Sequence, residues 1–446
     1  MMNRRQFLTA AAFGTLALAL PARSLFAGVQ PHVVVLGGGV GGATFAKYLK
    51  MQDRNVRVTV IEKNPTYMRP YGSTEVITGH IGMKDLEVGY DVLKNKYGVE
   101  FVFDRVTGGD LDKRSLKLAS GTTMTYDKLV VSPGIELMYD KVEGYSEAVA
   151  NTDIPSAWIP GKQTQLLADQ LKAMPQGGTF VMVAPPNPYR CPPGPYERAA
   201  LVTEWCEKHN PTAKIIILDP KNEFVTDKNM LLGWNRLYNF NISAEFMEGM
   251  PSDVKIHNTP SKLEWIRAKD GGKVKSIDAN SKTVTFEGGS IKADVLNIIP
   301  PQRAGKIAQD LGLSDDKGWC PVNLTDFASN HFKDVYVLGD ATHGGMTPKS
   351  GFSANSQAKV TAMAVIDALA GREPNENPVW ENTCYALAGS DYGLFVADVF
   401  RLKEGNVMYR VNPDRYPSLH QTPAQIRLGA VYQQTWMRTF TQDCFA

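Results

Sequence analysis

Short apolar runs rich in β-branched residues recur along the chain, each closed by a glycine, a proline or an acid. They are His32–Leu36 (HVVVL), 56–62 (VRVTVIE), 179–184 (TFVMVA), 214–220 (KIIILDP) and 335–340 (VYVLGD). Apart from 56–62, where Arg57 and Thr59 alternate with valines, they lack the alternation of a half-exposed strand, so they predict buried strands of the parallel-sheet kind. Between them the spacing becomes helical, in ATFAKYLK after the first run and in ERAALVTEWCEKH at 197–209. Strands alternating with helices predict an α/β fold.

The first run passes at once into Gly37-Gly38-Gly39-Val40-Gly41-Gly42 and then into helix, and the second run ends on Glu62, 20 residues after Gly42. Strand, glycine turn, helix and a following acid make a dinucleotide site. Gly37 permits the tight turn, Gly39 admits a pyrophosphate to the backbone, Gly42 allows close helix packing, and Glu62 receives a ribose. The fingerprint serves NAD or FAD equally. The strand at 179–184 would carry a second such turn in a pyridine-nucleotide reductase, but it meets PPNPYRCPPGPYER (185–198), whose prolines leave no amide nest for a pyrophosphate. NAD(P)H is therefore not the expected electron donor, although Asp219 sits where a ribose acid would.

The first 27 residues hold a twin arginine at Arg4 and Arg5, an apolar stretch over 7–20, Pro21 and a small residue at Ala27. The stretch is short of the ~20 residues that span a bilayer. It predicts a twin-arginine export signal cleaved near Ala27, a protein folded with its cofactor before export, and a periplasmic site of action. Three arginines there account for more than the whole formal charge of +2, leaving −1 on the rest, which argues against a nucleic-acid partner. A composition of 43% hydrophobic and 21% charged residues excludes disordered and multi-span classes, and 446 residues suggest about three units. No membrane span is expected in the mature chain.

The five cysteines, Cys191, Cys206, Cys320, Cys384 and Cys444, form neither CxxC nor CxxCH, so any haem belongs to a partner. The scattered histidines and cysteines show no metal-ligand spacing, and no metal is expected.

Two further segments, 126–134 (YDKLVVSPG) and 335–340 (VYVLGD), resemble those with which two-dinucleotide-domain flavoproteins contact FAD. The resemblance assigns Gly134, Gly339 and Asp340 to the cofactor, Asp340 to its ribitol. Longer strings, YRCPPGPYERA (189–199), NIIPPQRAGKIAQ (297–309), GWCPV (318–322), PKSGFSANSQAKV (348–360) and NTCYALAGSDYG (382–393), resemble the flavoprotein subunit of flavocytochrome c sulfide dehydrogenase. That family is related to sulfide:quinone reductases and to the glutathione-reductase fold. The resemblance implies an FAD domain over 28–145 and 290–375, a second nucleotide-binding-like domain over 146–289, and a C-terminal α+β cap over 376–446 that meets a c-type cytochrome.

It also implies a small sulfur-compound substrate and catalytic roles for Cys191, for Glu197 as proton acceptor and for Lys349 beside the flavin. An ion pair of Glu197 with Arg198 or Lys208 is the alternative for that carboxylate. Two departures stand out. The position expected to hold a second redox cysteine, just after Gly339-Asp340, is Thr342, and the segment that commonly carries a covalent flavin, 64–71 (NPTYMRPY), has no cysteine. FAD is thus expected without a covalent bond. Cys320 and Cys384 are expected to be structural. A flavin dehydrogenase for another thiol, or a flavin-bearing electron carrier without catalysis, remain alternatives at this point.

Overall fold

The computed structural model describes residues 30–404 and 406–446. The expected export signal lies outside the described residues.

Five strands form the first parallel sheet, in the order Val335–Val337, Lys128–Val131, His32–Leu36, Arg57–Glu62, Glu100–Phe103. His32–Leu36 lies at its centre, with Val33, Val34 and Val35 wholly buried. That position explains why the run has no polar alternation: helices or loops cover both faces. The strand at Val335–Val337 arrives after more than 200 intervening residues and pairs in register with Leu129–Val131, so the first sheet is built from two separate stretches of chain. The helices Val40–Gln52 and Gly351–Leu369 pack on each other at this sheet. The second helix is started by Ser350, whose hydroxyl accepts from the Ser353 N–H.

A second parallel sheet runs Leu263–Ile266, Lys214–Leu218, Thr179–Val183, Val295–Ile298. The strand Val295–Ile298 corrects the expected domain boundary. It pairs with Phe180–Val183 and so belongs to the second domain, which therefore runs past residue 289. The chain crosses back only afterwards, where Gln302–Ala304 pairs antiparallel with Ile135–Leu137.

The C-terminal part is α+β. An antiparallel meander, Val379–Gly389, Tyr392–Lys403 and Val407–Arg410, is followed by the helix Pro423–Phe445. Thr422 and Gln425 form a capping box at its start. Its far end is pinned to the first domain: the Asp443 carboxylate accepts from Tyr48 Oη at 2.7 Å and Asn355 Nδ2 at 2.8 Å, and it pairs with Lys359 at 2.8 Å. This helix thereby roofs the carboxyl ends of the first sheet, the edge at which α/β proteins bind dinucleotides. Among the described residues no helix is long and apolar enough to cross a membrane.

Candidate active site

A cavity of about 390 Å³ opens along that edge. One end is walled by Gly37, Gly39, Glu62, Gly134, Gly339 and Asp340, so all but one of the expected cofactor residues converge there. Gly42, the exception, acts from beneath. A Cβ at Gly42 would sit inside the van der Waals shell of the Gly37 carbonyl, so the turn closes only with hydrogen at that position. Gly37 itself has φ 101°. At Gly39 the nearest atom to an added Cβ would be the Tyr67 ring at 3.5 Å, leaving its backbone open to the cavity. Glu62 accepts from the Gly38 N–H at 2.8 Å and the Asn64 N–H at 3.0 Å, which fixes the carboxylate on the cavity wall.

Asp340 gives the clearest test of fit to a hydroxyl-bearing cofactor. Its Oδ1 is buried without a hydrogen-bond partner, and burial pushes its carboxyl up, opposed by Arg190 and Lys349. An unsatisfied buried carboxylate oxygen is costly unless a donor arrives, and a ribitol hydroxyl is such a donor. Open glycine backbone, ribose acid and orphaned aspartate together fit FAD.

At the second sheet the corresponding acid is already occupied. Asp219, wholly buried, is saturated from within: its Oδ2 accepts from Tyr196 Oη at 2.6 Å and Trp265 Nε1 at 2.9 Å, and its Oδ1 from the Lys221 N–H at 3.0 Å. Tyr196 stacks on Phe224 with centroids 3.4 Å apart. The acid that could take a nucleotide ribose is spent on protein donors.

The same cavity is lined, close to Asp340, by Cys191, Gly194, Glu197, Arg198, Ser350 and Cys384, together with Trp158, Tyr385, Trp436 and Met437. Cys191 has φ 59°, a left-handed conformation uncommon outside glycine. It is held by its N–H donating to the Lys349 carbonyl at 2.8 Å, and its carbonyl accepts from the Gly194 N–H at 2.9 Å. Gly194 opens the helix Gly194–His209, and a Cβ there would fall 2.9 Å from Cys191 Sγ and 2.8 Å from the Trp158 ring. Only glycine lets the thiol and the indole share this corner.

Cys384, expected from sequence to be structural, lines the cavity. It stands on the cavity wall, on the face of its strand shared with buried Trp380, Asn382, Ala386 and Ala388. The buried amide of Asn382 ties the two cysteine segments together: its Oδ1 accepts from Ser350 Oγ at 2.6 Å and Cys384 Sγ at 3.3 Å, and Ser350 follows the residue that anchors Cys191. Burial pushes the Cys191 thiol far above its usual range, with Glu197 and Cys384 adding to the effect. Cys384 is pushed up to about 11, again by burial first. Both are free thiols.

Thr342, in contrast, does not line this cavity. Its hydroxyl donates to the Gly339 carbonyl at 3.0 Å and its backbone forms a bridge with Cys320, so the position opposite Cys191 is not Thr342. Cys320 is wholly buried at that bridge.

Glu197 reaches the site. It accepts from the Leu387 N–H at 2.8 Å, and burial followed by repulsion from Glu75, on the same cavity wall, raises its pKa to about 8. A carboxyl so placed holds or releases a proton near neutral pH. The raised value carries a stability consequence. From its ordinary 4.5 up to about 8 the folded protein keeps a proton that the unfolded chain has released, so stability falls as pH rises through that window. Glu197→Gln, which can still accept from Leu387, is expected to match the wild type at pH 4.5 and exceed it by ~2 kcal/mol or more at pH 8.5. Urea midpoints at the two pH values check this, and an identical gap at both would contradict it.

Lys349 is placed elsewhere. Its ammonium donates to the carbonyls of Asp340 at 2.9 Å and Thr342 at 2.8 Å, and it lies 3.5 Å from the Trp319 ring centroid. It stands behind Asp340 and does not line the cavity, and burial lowers it to about 8. His343 forms a surface pair with Asp315 at 2.9 Å. Among the described residues no group of three His, Cys, Asp or Glu is placed to hold a metal.

Two parallel-sheet nucleotide-type domains, a glycine fingerprint with its acid and a cysteine against the cofactor end define an FAD-dependent oxidoreductase of the pyridine nucleotide-disulphide oxidoreductase class. The model of that class matches residues 31–158. Residues 164–300 match the central domain of the sulfide dehydrogenase [flavocytochrome c] flavoprotein chain, and 376–445 match the flavocytochrome c sulphide dehydrogenase flavin-binding domain. The chain is a flavocytochrome c sulfide dehydrogenase-like flavoprotein, within the FAD-dependent sulfide-oxidising oxidoreductases.

It is similar to the mitochondrial sulfide:quinone oxidoreductase of Mus musculus, 23% identical over 411 residues, covering 87% of this chain and 85% of that protein. The sulfide-quinone reductase of Aquifex aeolicus is 24% identical over 386 residues, covering 82% and 83%. The X-ray structure of the Aquifex aeolicus sulfide:quinone oxidoreductase superposes with TM-score 0.68 at 18% identity over 93% of this chain and 92% of that one, which establishes the shared fold.

Proposed function

We propose that the protein is an exported, periplasmic sulfide dehydrogenase that carries FAD without a covalent bond, uses Cys191 and Cys384 as its sulfur-handling pair, and delivers electrons to a c-type cytochrome. The placement of both cysteines with Glu197 on one cavity wall, next to the orphaned Asp340 carboxylate, carries this reading.

With the two cysteines oxidised to a disulfide, hydrosulfide attacks one sulfur. A new S–S bond forms to make a persulfide, the Cys191–Cys384 bond breaks, and the second cysteine leaves as thiolate. Glu197 is the proton carrier in reach of these sulfurs. FAD, held by Gly37, Gly39, Glu62, Gly134, Gly339 and Asp340, supplies a two-electron acceptor that can release its electrons singly. The absence of a cysteine over 64–71 supports non-covalent binding. Export is supported by the Arg4-Arg5 segment, and a haem-bearing partner by the absence of CxxCH in this chain and by the flavocytochrome descriptions of the matching family models.

The acceptor is the point on which the relatives differ, since they are described as quinone reductases. Steady-state assays with sulfide and either a c-type cytochrome or a short-chain ubiquinone decide it. Faster turnover with the cytochrome is expected; turnover with quinone alone would overturn the cytochrome assignment and leave the sulfide chemistry standing.

A further inference from the structure

Arg198 is 1% exposed. Its Nη1 donates to the Ser156 carbonyl at 3.1 Å and Asn297 Oδ1 at 3.0 Å, its Nη2 donates to the Ala157 carbonyl at 2.7 Å, and its Nε is buried without a partner. Arg190 donates to the next carbonyl of the same loop, that of Trp158, and the Trp158 ring lies 5.1 Å from the Arg198 guanidinium. Both arginines line the cavity beside Cys191. Every hydrogen-bond acceptor of their side chains is a neutral oxygen, and among the described residues neither has a carboxylate at ion-pair distance.

A buried guanidinium with only neutral acceptors is a charge lacking its counter-ion, and such an arrangement is costly unless an anion completes it. Arg is also the one cation that burial does not discharge under ordinary conditions. The anions within the cavity are limited. Burial and Glu75 push Glu197 toward its protonated form, Glu75 is engaged by Gln433 Nε2 at 2.9 Å, Glu62 accepts from the Gly38 and Asn64 N–H groups, and Asp340 acts on Arg190 with no hydrogen bond to either arginine. Cys191 and Cys384, with the neutral phenols of Tyr67, Tyr71 and Tyr385, also line the cavity, and both cysteines are uncharged as thiols.

We propose that Arg198, supported by Arg190, is the fixed positive charge that receives anionic sulfur in this pocket, selecting hydrosulfide or a thiolate over neutral hydrogen sulfide and stabilising the thiolate of Cys191. This rests on the pocket being the sulfur site. Arg198 is a positioning residue in this scheme: it acts through the electrostatic field at Cys191, and the carbonyls of residues 156 and 157 hold it still.

The test reads charge selectivity without any turnover. Reduced, FAD-loaded protein is alkylated at pH 8 with anionic iodoacetate and with neutral iodoacetamide, and modification of Cys191 is followed by peptide mass. Relative to glutathione, the iodoacetate to iodoacetamide rate ratio is expected to be raised about ten-fold in the native protein. It should fall at least about five-fold in Arg198→Met and stay within about two-fold of native in Arg198→Lys. A native ratio no higher than that of glutathione, or an unchanged ratio in folded Arg198→Met, would overturn the proposal. Where the methionine variant does not fold, the native ratio decides alone. Failure of sulfide to bleach the flavin would sink the functional reading without altering this ratio, so the two are separable.

Discussion

Cys384→Ser is expected to abolish sulfide-driven flavin reduction, slowing it by about three orders of magnitude or more, while FAD stays bound. The loss should equal that of Cys191→Ser, and the double variant should be no slower than either. Residues that act as one unit are non-additive, because removing either partner already prevents the disulfide. The structural ground is the shared cavity wall and the Asn382 amide that joins the two segments. Cys320→Ser serves as control. That thiol is buried against Thr342 and away from the cavity, so its loss should leave the rate near native. Anaerobic stopped-flow at saturating sulfide measures all four. Native bleaching in Cys384→Ser would return Cys384 to the structural role suggested by sequence.

Gly42→Val is expected to yield protein without FAD. Even the first carbon of the side chain would overlap the Gly37 carbonyl and press on Val35 at 3.0 Å, within the central strand of the first sheet. The helix Val40–Gln52 cannot back away, since Gly351–Leu369 and Pro423–Phe445 pack on it. Overpacking of this kind costs ~3 kcal/mol or more and splays the turn whose amides would meet the pyrophosphate. Flavin absorbance per polypeptide after gel filtration checks it, and stoichiometric FAD in the variant would contradict the account of the turn.

The cofactor end was legible in the sequence because its parts are local. A strand, a glycine turn and an acid at fixed spacing are joined by the chain itself, and Gly37, Gly39, Gly42 and Glu62 needed no tertiary knowledge. The sulfur end was only half legible. Cys191 announces itself in a proline-stiffened loop, but its neighbours come from four distant segments, and spacing along the chain cannot say which of them meet. Thr342 lies next to Asp340 in sequence, yet its hydroxyl turns to Gly339. Cys384, nearly 200 residues from Cys191, arrives on a long antiparallel strand. In the structure Cys384 shares a strand face with Trp380, Asn382, Ala386 and Ala388, but in sequence the intervening Tyr385 and Leu387 are as apolar as that face, so no alternation marks it. Arg198 followed Glu197 as a possible ion-pair partner, and only the structure shows its guanidinium turned to carbonyls instead. The strand Val295–Ile298 was misassigned for a similar reason. An apolar run does not reveal which of two parallel sheets it joins, and the register with Phe180–Val183 settles it.

The central claim, that this cavity oxidises sulfide at the expense of FAD, is tested most directly by anaerobic stopped-flow mixing of the FAD-loaded native protein with sodium sulfide. The account predicts rapid, complete loss of the oxidised-flavin band at low sulfide excess, with one flavin reduced per chain. A flavin that dithionite reduces and sulfide leaves oxidised would contradict it.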